Sequence, residues 1–568
     1  MKQTLKKTPK YIFVSGGVLS GIGKGVTAAT IGLLLKKRGY VISTLKCENY
    51  LNYDSGTINP IEHGDPFLCD DGLEADMDLG TYEKFLNQPM GWPNFTTIGQ
   101  IYKTVIDNER NMKYGGEDVE AIPHVTNEII NRIHKAQESN DADITIIELG
   151  GTVGEYQNAL YYEACRIMKV LEPQNIFNVH VTYLPFVKHL GEPKTKPTQL
   201  SVRTLMSMGI YPDMLIVRSE VPFDKRRRYL LGMQTSVAVE NVIEALDVES
   251  VYEIPVNFEK QQVDKKILRK LNLPIGQIRM KEWKTFVTNL EKPKKNKIKI
   301  SIVGKYFSTN KTKDGFVLLD AYAALLDALK HASYKQNIET ILNYVNAEEL
   351  EEDGLNSIKN SDGIIVPIGW GKRGVVGKIR AIKYARENKV PYLGLCYGMQ
   401  LACIEYARNV LGITDANSTE IDKNTINPVI HDIPLDEKYQ TVKGEDVSMR
   451  LGAYDCSLKK DSLAYYIYDK HNAIKDKRKR LVSERHRHRY EFNNEYRKDF
   501  EDSGFVFSGT SPDDFFVEMI ELPKRIHPFF IATQGHPEYK SKPLSPHPIF
   551  LEFEKACLDK KRKGQDIN

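Results

Sequence analysis

Cysteine is scarce in this chain, at seven in 568 residues. The seven (Cys47, Cys69, Cys165, Cys396, Cys403, Cys456, Cys557) are odd in number and form no CxxC pair. That excludes a disulfide framework or zinc knuckle and points to a reducing, cytoplasmic setting. Long apolar runs are also missing, so no segment approaches the ~20 residues a membrane helix needs. The basic first ten residues precede a short apolar run at Tyr11 that dissolves into glycines and Lys24, which argues against a signal peptide. Excess charge of one sign is absent too: the net charge is +4 with 27% charged residues, so neither nucleic acid nor membrane is an expected partner. The basic clusters Lys475–Arg480 and Lys560–Lys563 carry no interleaved aromatics and read as solvated surface.

What is present is an α/β rhythm in two halves, as 568 residues exceed one hydrophobic core. Strand-like runs at Tyr11–Val14, Ile144–Glu148 and Met214–Val217 alternate with helical patterns, the first from about Val26 to Arg38. The charged stretch Glu291–Lys297 contains Pro293 and lacks an apolar face. It reads as the core of a linker over 279–297, between a domain at 1–278 and another at 298–568. A new strand is expected from Ile298, then a helix over Gly315–His331 and strands at Gly363–Val366 and Pro391–Leu395.

Ser15 to Gly25 reads Ser-Gly-Gly-Val-Leu-Ser-Gly-Ile-Gly-Lys-Gly, between a strand and a helix. Such a loop turns backbone N–H groups onto a phosphate, and Lys24 adds a full charge. Val18 stands where a strict phosphate loop has glycine, and Gly25 replaces the hydroxyl residue that would hold magnesium. Metal ligands are then expected elsewhere. Asp78 and Glu148 offer hard oxygens, the second at the end of a parallel strand. Lys194-Thr195-Lys196-Pro197-Thr198-Gln199 is a second cationic element suited to a triphosphate.

Cys396 follows the apolar strand Pro391–Leu395 and precedes a helical pattern, the turn that exposes a nucleophile at a helix N-terminus. His536 and Glu538 fit a base and its orienting acid, two residues apart along an expected strand. The trio suits release of ammonia from glutamine.

These motifs, with Asp54-x-Gly-Thr57, Asn417-Ser-Thr-Glu420, Arg450-Leu-Gly452 and Arg485-His-Arg-His-Arg-Tyr490, resemble the CTP synthase family over Tyr11 to about Phe553. The resemblance implies two doubly wound domains, an N-terminal amidoligase and a C-terminal class I glutamine amidotransferase. It implies CTP made from UTP, ATP and glutamine with Mg²⁺, and GTP as allosteric activator. It also implies a homotetramer, with filament assembly as a further expectation. Gly21, Ile22, Gly23, Lys24, Gly25, Val26, Lys46, Asp78, Asp247, Val248 and Glu249 would contact ATP, and Asp78 and Glu148 would hold the metal. Ser20, Glu155, Tyr156, Gln157, Lys194–Gln199 and Arg228 would hold UTP or CTP. Gly369, Tyr397, Gly398, Met399, Gln400, Glu420 and Arg489 would hold glutamine, and His63 would gate ammonia. A diverged, assembling paralogue with impaired glutamine coupling is the alternative.

The chain departs from the family's usual motifs at named positions. Ile368 replaces a glycine, and would be strained if its φ were positive. Asp446-Val-Ser448 stiffens a loop tied to GTP, Gln157 alters the pyrimidine pocket, and Arg228 and Pro66 are further changes.

Overall fold

The computed structural model describes residues 8–59, 64–307, 319–352, 354–434, 440–441 and 448–565. The chain divides into two compact units: Met1–Gly56 with Ala75–Thr288, and Thr57–Glu74 with Asn289–Asn568.

The first unit is built on a parallel sheet. Its strands are β1 (Lys10–Gly16), β2 (Ile42–Glu48), β3 (Phe95–Thr97), β4 (Ile144–Leu149), β5 (Ile176–Tyr183), β6 (Met214–Ser219) and β7 (Val242–Leu246). The order β7-β6-β5-β1-β4-β2-β3 puts β1 at the centre. That position explains the sequence of β1: Tyr11, Ile12, Phe13 and Val14 are all buried, as a strand covered on both faces demands. Helix α1 (Lys24–Lys37) follows the glycine loop, starting at Gly23 with φ 93°. Helices α2 (Met77–Leu86) and α3 (Lys196–Ser207) carry further site residues. The second half of the unit ends in α4 (Lys281–Leu290), inside the stretch expected to be linker. An apolar pair four residues apart, Trp283 and Val287, makes it a docked helix, and the Trp283 indole N–H donates to the Tyr252 carbonyl at 2.9 Å.

The second unit also has a parallel centre. Its strands are β8 (Asn296–Gly304), β9 (Ile338–Asn346), β10 (Gly363–Val366), β11 (Tyr392–Leu395), β12 (Ser448–Leu458), β13 (Leu481–His488), β14 (Val506–Thr510), β15 (Val517–Glu521) and β16 (Phe530–Thr533). They run β9-β8-β10-β11-β16-β15-β14-β12, with β13 on β12. From β9 to β16 the pairing is parallel, and beyond β16 it is antiparallel. Successive side chains feed opposite cores: Ile364 and Val366 join one cluster, while Ile365, Leu393 and Leu395 join the other. The helices are α5 (Ala323–Gln336), α6 (Val375–Glu387) and α7 (Tyr397–Asn409). α5 begins later than the expected Gly315, of which residues 315–318 lie outside the described residues.

Thr57–Glu74 belongs to this unit despite its place in the chain. Charge fixes it there: Arg485 pairs with Asp70 at 2.6 Å and Arg487 with Glu74 at 2.6 Å. Tyr539 donates its hydroxyl to Asp65 at 3.0 Å.

Candidate active sites

In the first unit the glycine loop lies at the C-terminal end of β1, where open α/β sheets bind ligands. Val18 takes φ 80°, a left-handed backbone that is rare for a β-branched side chain. Lys24 Nζ donates to the Gly151 carbonyl at 2.8 Å, and burial, followed by Lys46, lowers its pKa. Lys46, on β2, is fully buried among carboxylates: Asp78 at 2.5 Å, Glu148 at 2.7 Å and Glu48 at 3.1 Å. Burial alone would neutralise it, yet those carboxylates outweigh burial and hold its pKa well above the ordinary lysine range. Tyr82 of α2 donates to Glu148. Burial raises the Glu48 carboxyl to about 8, against the pull of Lys46 and with the help of Asp76.

Asp78 and Glu148 converge on the first turn of α1. A Cβ on Gly25 would stand 2.3 Å from Asp78 Oδ1 and 3.5 Å from Glu148 Oε2, so a side chain there would displace the Asp78 carboxylate. Among the described residues no set of three or more His, Cys, Asp or Glu is arranged to hold a metal. Two carboxylates beside a phosphate loop do fit Mg²⁺, which completes its shell with phosphate oxygens and waters.

A cavity of about 150 Å³ gathers the expected residues Ile22, Gly23, Val26, Asp247 and Val248 with Ile254 and Phe258. Glu249 is exposed and outside its lining. Arg218 joins the two sides, pairing with Asp247 at 2.8 Å and donating to the Gly21 carbonyl at 3.1 Å. Ser20 is exposed on the loop. Lys194 pairs with Glu192, and Arg228 turns inward to the Val242 carbonyl beneath the Phe223 ring. Glu155 shapes its own turn, accepting from the Thr152 N–H at 2.8 Å and Asn49 at 3.1 Å, while Tyr156 is 98% exposed. Among the described residues no hydrogen bond or ion pair joins Glu155–Gln157 to Lys194–Gln199.

In the second unit Cys396 sits in the turn between β11 and α7 with φ 51° and ψ −102°. The turn is tight: a Cβ on Gly398 would stand 2.0 Å from the Val366 carbonyl oxygen. Backbone strain of this kind concentrates at functional sites. Gln534, one residue past β16, donates to Cys396 Sγ at 3.4 Å. His536 is completely buried, with Nδ1 2.8 Å from Glu538 Oε1. The pair does not lie along a strand as expected, because Pro537 opens a 3-10 turn over Pro537–Lys540. The turn still brings the two side chains together. Burial disfavours the imidazolium, but the charges of Glu538 and Cys396 outweigh it and raise His536 to about 10. The ring is then protonated at both nitrogens, and with Nδ1 held by Glu538 the Nε2 proton is the one it can give to a departing group.

The facing turn, 367–371, is held from two sides. Lys378 Nζ donates to the Pro367 carbonyl at 2.9 Å and Lys305 Nζ to the Trp370 carbonyl at 2.6 Å. Tyr397 donates to the Gly371 carbonyl at 2.9 Å, and Glu420 accepts the Gly371 N–H at 2.6 Å. Burial lowers both lysines, Lys305 to about 8. Ile368 is not among the residues with positive φ, so the strain expected there is absent, and its side chain packs in the core with Leu395 and Cys396. Gln400 donates to the Tyr490 carbonyl at 3.0 Å and to Gln534 at 3.2 Å. Gly369 lies against Lys305 and Lys378, and the Arg489 guanidinium lies 5.8 Å from the Trp370 ring centre. His63, Asp446 and Val447 lie outside the described residues.

Sequence reasoning missed Gln534, Lys305, Lys378, Arg218 and Glu48. Gln534 could have been found, since it stands two residues before His536. The lysines carry no local signal.

Two family models match the chain: CTP synthase N-terminus over residues 10–273 and glutamine amidotransferase class-I over 317–556. A CTP synthase from Caldanaerobacter subterraneus is 46% identical over 97% of this chain and 99% of its own length. One from Pyrococcus abyssi is 44% identical over 98% of this chain and 99% of its own. Among solved structures, the glutaminase domain of Trypanosoma brucei CTPS with bound acivicin is 35% identical, covering 46% of this chain and 94% of that one, with a TM-score of 0.40.

Proposed function

The chain belongs to the CTP synthase family, and from that premise we propose how its residues divide the reaction. The activity is ATP-dependent amination of UTP at C4 to CTP, with ammonia taken from glutamine, through a 4-phosphorylated UTP intermediate. The carbonyl oxygen at C4 is a poor leaving group, and phosphorylation converts it into one that ammonia can displace.

In the second unit Cys396 attacks the glutamine amide carbon. His536 gives its proton to the departing ammonia, and Glu538 holds the ring in orientation through the 2.8 Å contact at Nδ1. Gln534 stabilises negative charge on the sulfur from 3.4 Å. Gly369, Tyr397, Gly398, Met399, Gln400, Glu420 and Arg489 hold glutamine. Water then hydrolyses the thioester. His63 gates the ammonia, and GTP activates this half-reaction.

In the first unit the loop Gly21–Val26 and the cavity by Asp247 and Val248 take ATP. Ser20, Glu155–Gln157, Lys194–Gln199 and Arg228 take UTP or the inhibitory product. Lys24 and Lys46 offset charge as the phosphoryl group moves. Asp78 and Glu148 would hold Mg²⁺, which supplies further charge neutralisation at the phosphates. A homotetramer with filament assembly and a cytoplasmic location complete the proposal. The last is supported by seven cysteines that are all free and buried.

The observation that carries this reading is the pairing, in one chain, of the Lys24–Lys46–Asp78–Glu148 cluster with the Cys396–His536–Glu538 turn. The test is CTP formation by purified protein from UTP, ATP and Mg²⁺, with glutamine plus GTP or with ammonia. CTP from both nitrogen sources is expected; CTP from neither would refute the reading.

A further inference from the structure

Behind the phosphate loop runs a buried chain of three side chains with no part in the chemistry above. Ser15 stands near the end of β1, His180 on β5 and Ser201 on α3. His180 is completely buried, with Nδ1 2.9 Å from Ser15 Oγ and Nε2 2.7 Å from Ser201 Oγ. The Ser15 hydroxyl donates to the Val179 carbonyl at 3.2 Å. A hydroxyl donates once, so Ser15 Oγ accepts from Nδ1–H, and Nε2 accepts from the Ser201 hydroxyl. Burial, with the charge of Lys24, pushes His180 down to about 3. The ring is therefore neutral and serves as a fixed bridge rather than a base.

The bridge ends on two different binding elements. On one side is the phosphate loop, which Ser15 opens and whose Gly17 packs against the far end of the bridge as well, where a Cβ would stand 1.7 Å from Ser201 Oγ and 3.1 Å from His180 Nε2. Gly17 also donates its N–H to Val181, the neighbour of His180, at 3.0 Å. The loop backbone thus rests directly on the relay. On the other side is α3, whose first turn carries Lys196–Gln199. Thr198 anchors that turn to β5 by donating to the Tyr183 carbonyl at 2.8 Å. Any shift of α3 as a triphosphate is drawn to Lys194–Gln199 moves Ser201, and with it the support under Gly17.

We propose that Ser15–His180–Ser201 is a positioning relay that couples nucleotide occupancy at the phosphate loop to nucleotide occupancy at Lys194–Gln199. It rests on the assignment of those two segments to ATP and to UTP or CTP. Coupling of this kind is reciprocal, and each nucleotide changes the other's affinity by one factor.

The experiment is calorimetric titration of the full-length protein with the non-hydrolysable analogue AMP-PNP, with and without saturating UTP. In the unaltered protein UTP is expected to change the analogue's Kd by about 5- to 150-fold, the usual span of such coupling. In Ser201→Ala the factor should collapse toward one, while the Kd for the analogue alone stays close to that of the parent. Ser15→Ala, which cuts the other end, should give the same loss. His180→Gln, which keeps an acceptor toward Ser201, should retain more coupling than His180→Leu. A merely structural role would lower thermal stability without this pattern. An unchanged factor in folded Ser201→Ala or Ser15→Ala would overturn the relay, as would an unaltered protein that binds both nucleotides independently. If the unaltered protein fails to bind UTP, the underlying assignment of Lys194–Gln199 falls instead.

Discussion

Gln534 donates its side-chain amide to Cys396 Sγ at 3.4 Å, from the strand end that also presents His536. A donor aimed at the sulfur steadies negative charge there during attack, and hydrogen bonds to charged groups are worth about 1.5–3 kcal/mol. Gln534→Leu should lower glutamine hydrolysis by about 10- to 100-fold and leave ammonia-dependent CTP synthesis unchanged. Steady-state kinetics with each nitrogen source check this; an equal loss with both would reject the role.

Glu538 is what keeps His536 protonated. With Glu538→Gln the imidazole loses the larger of the two charges that oppose burial, so its pKa falls and the alkaline limb of glutaminase activity should move to lower pH. The sign for stability follows from a raised folded value. The contribution is fully present below the free-histidine value of 6.5 and is lost as pH rises through about 10. A pH–rate profile of glutamine hydrolysis that is the same in both proteins would contradict this.

How much of this was legible in the sequence depends on distance along the chain. The glycine loop before α1 and the turn at Cys396 are local patterns, and both appear where the spacing puts them. The place of Thr57–Glu74 in the second unit is not local, since it depends on Arg485 and Asp70, 415 residues apart. The two lysines behind 367–371 are invisible for the same reason: each meets that turn through tertiary packing. Trp283 and Val287 were readable as an apolar helical pair, but the charged run after them masked the signal. At Ile368 the general rule for glycine positions misled, because the backbone there stays in the ordinary region.

Lys46 is the only cation within ion-pair distance of Asp78 and Glu148 among the described residues. Lys46→Met leaves the buried Glu148 carboxylate without its ion-pair partner, a change that typically costs about 3–5 kcal/mol. It should abolish CTP synthesis from glutamine and from ammonia alike, while glutaminase activity persists. Loss of glutaminase activity to the same degree would argue against this division of labour.

Gly398→Ala places a methyl group against the Val366 carbonyl oxygen, 2.0 Å from where its Cβ must go. Overpacking of this kind costs about 1–3 kcal/mol and would displace the Cys396 turn. Glutaminase kcat/KM should drop and the urea midpoint of the second unit should fall. Unchanged hydrolysis would show that the turn tolerates a side chain.

The central claim is that ammonia made at Cys396 serves a separate nucleotide-activating centre. Its most direct test is Cys396→Ala assayed for CTP with UTP, ATP and Mg²⁺. Loss of glutamine-dependent synthesis with full retention of ammonia-dependent synthesis is the predicted result. Parallel loss of both, in a protein that remains folded, would contradict it.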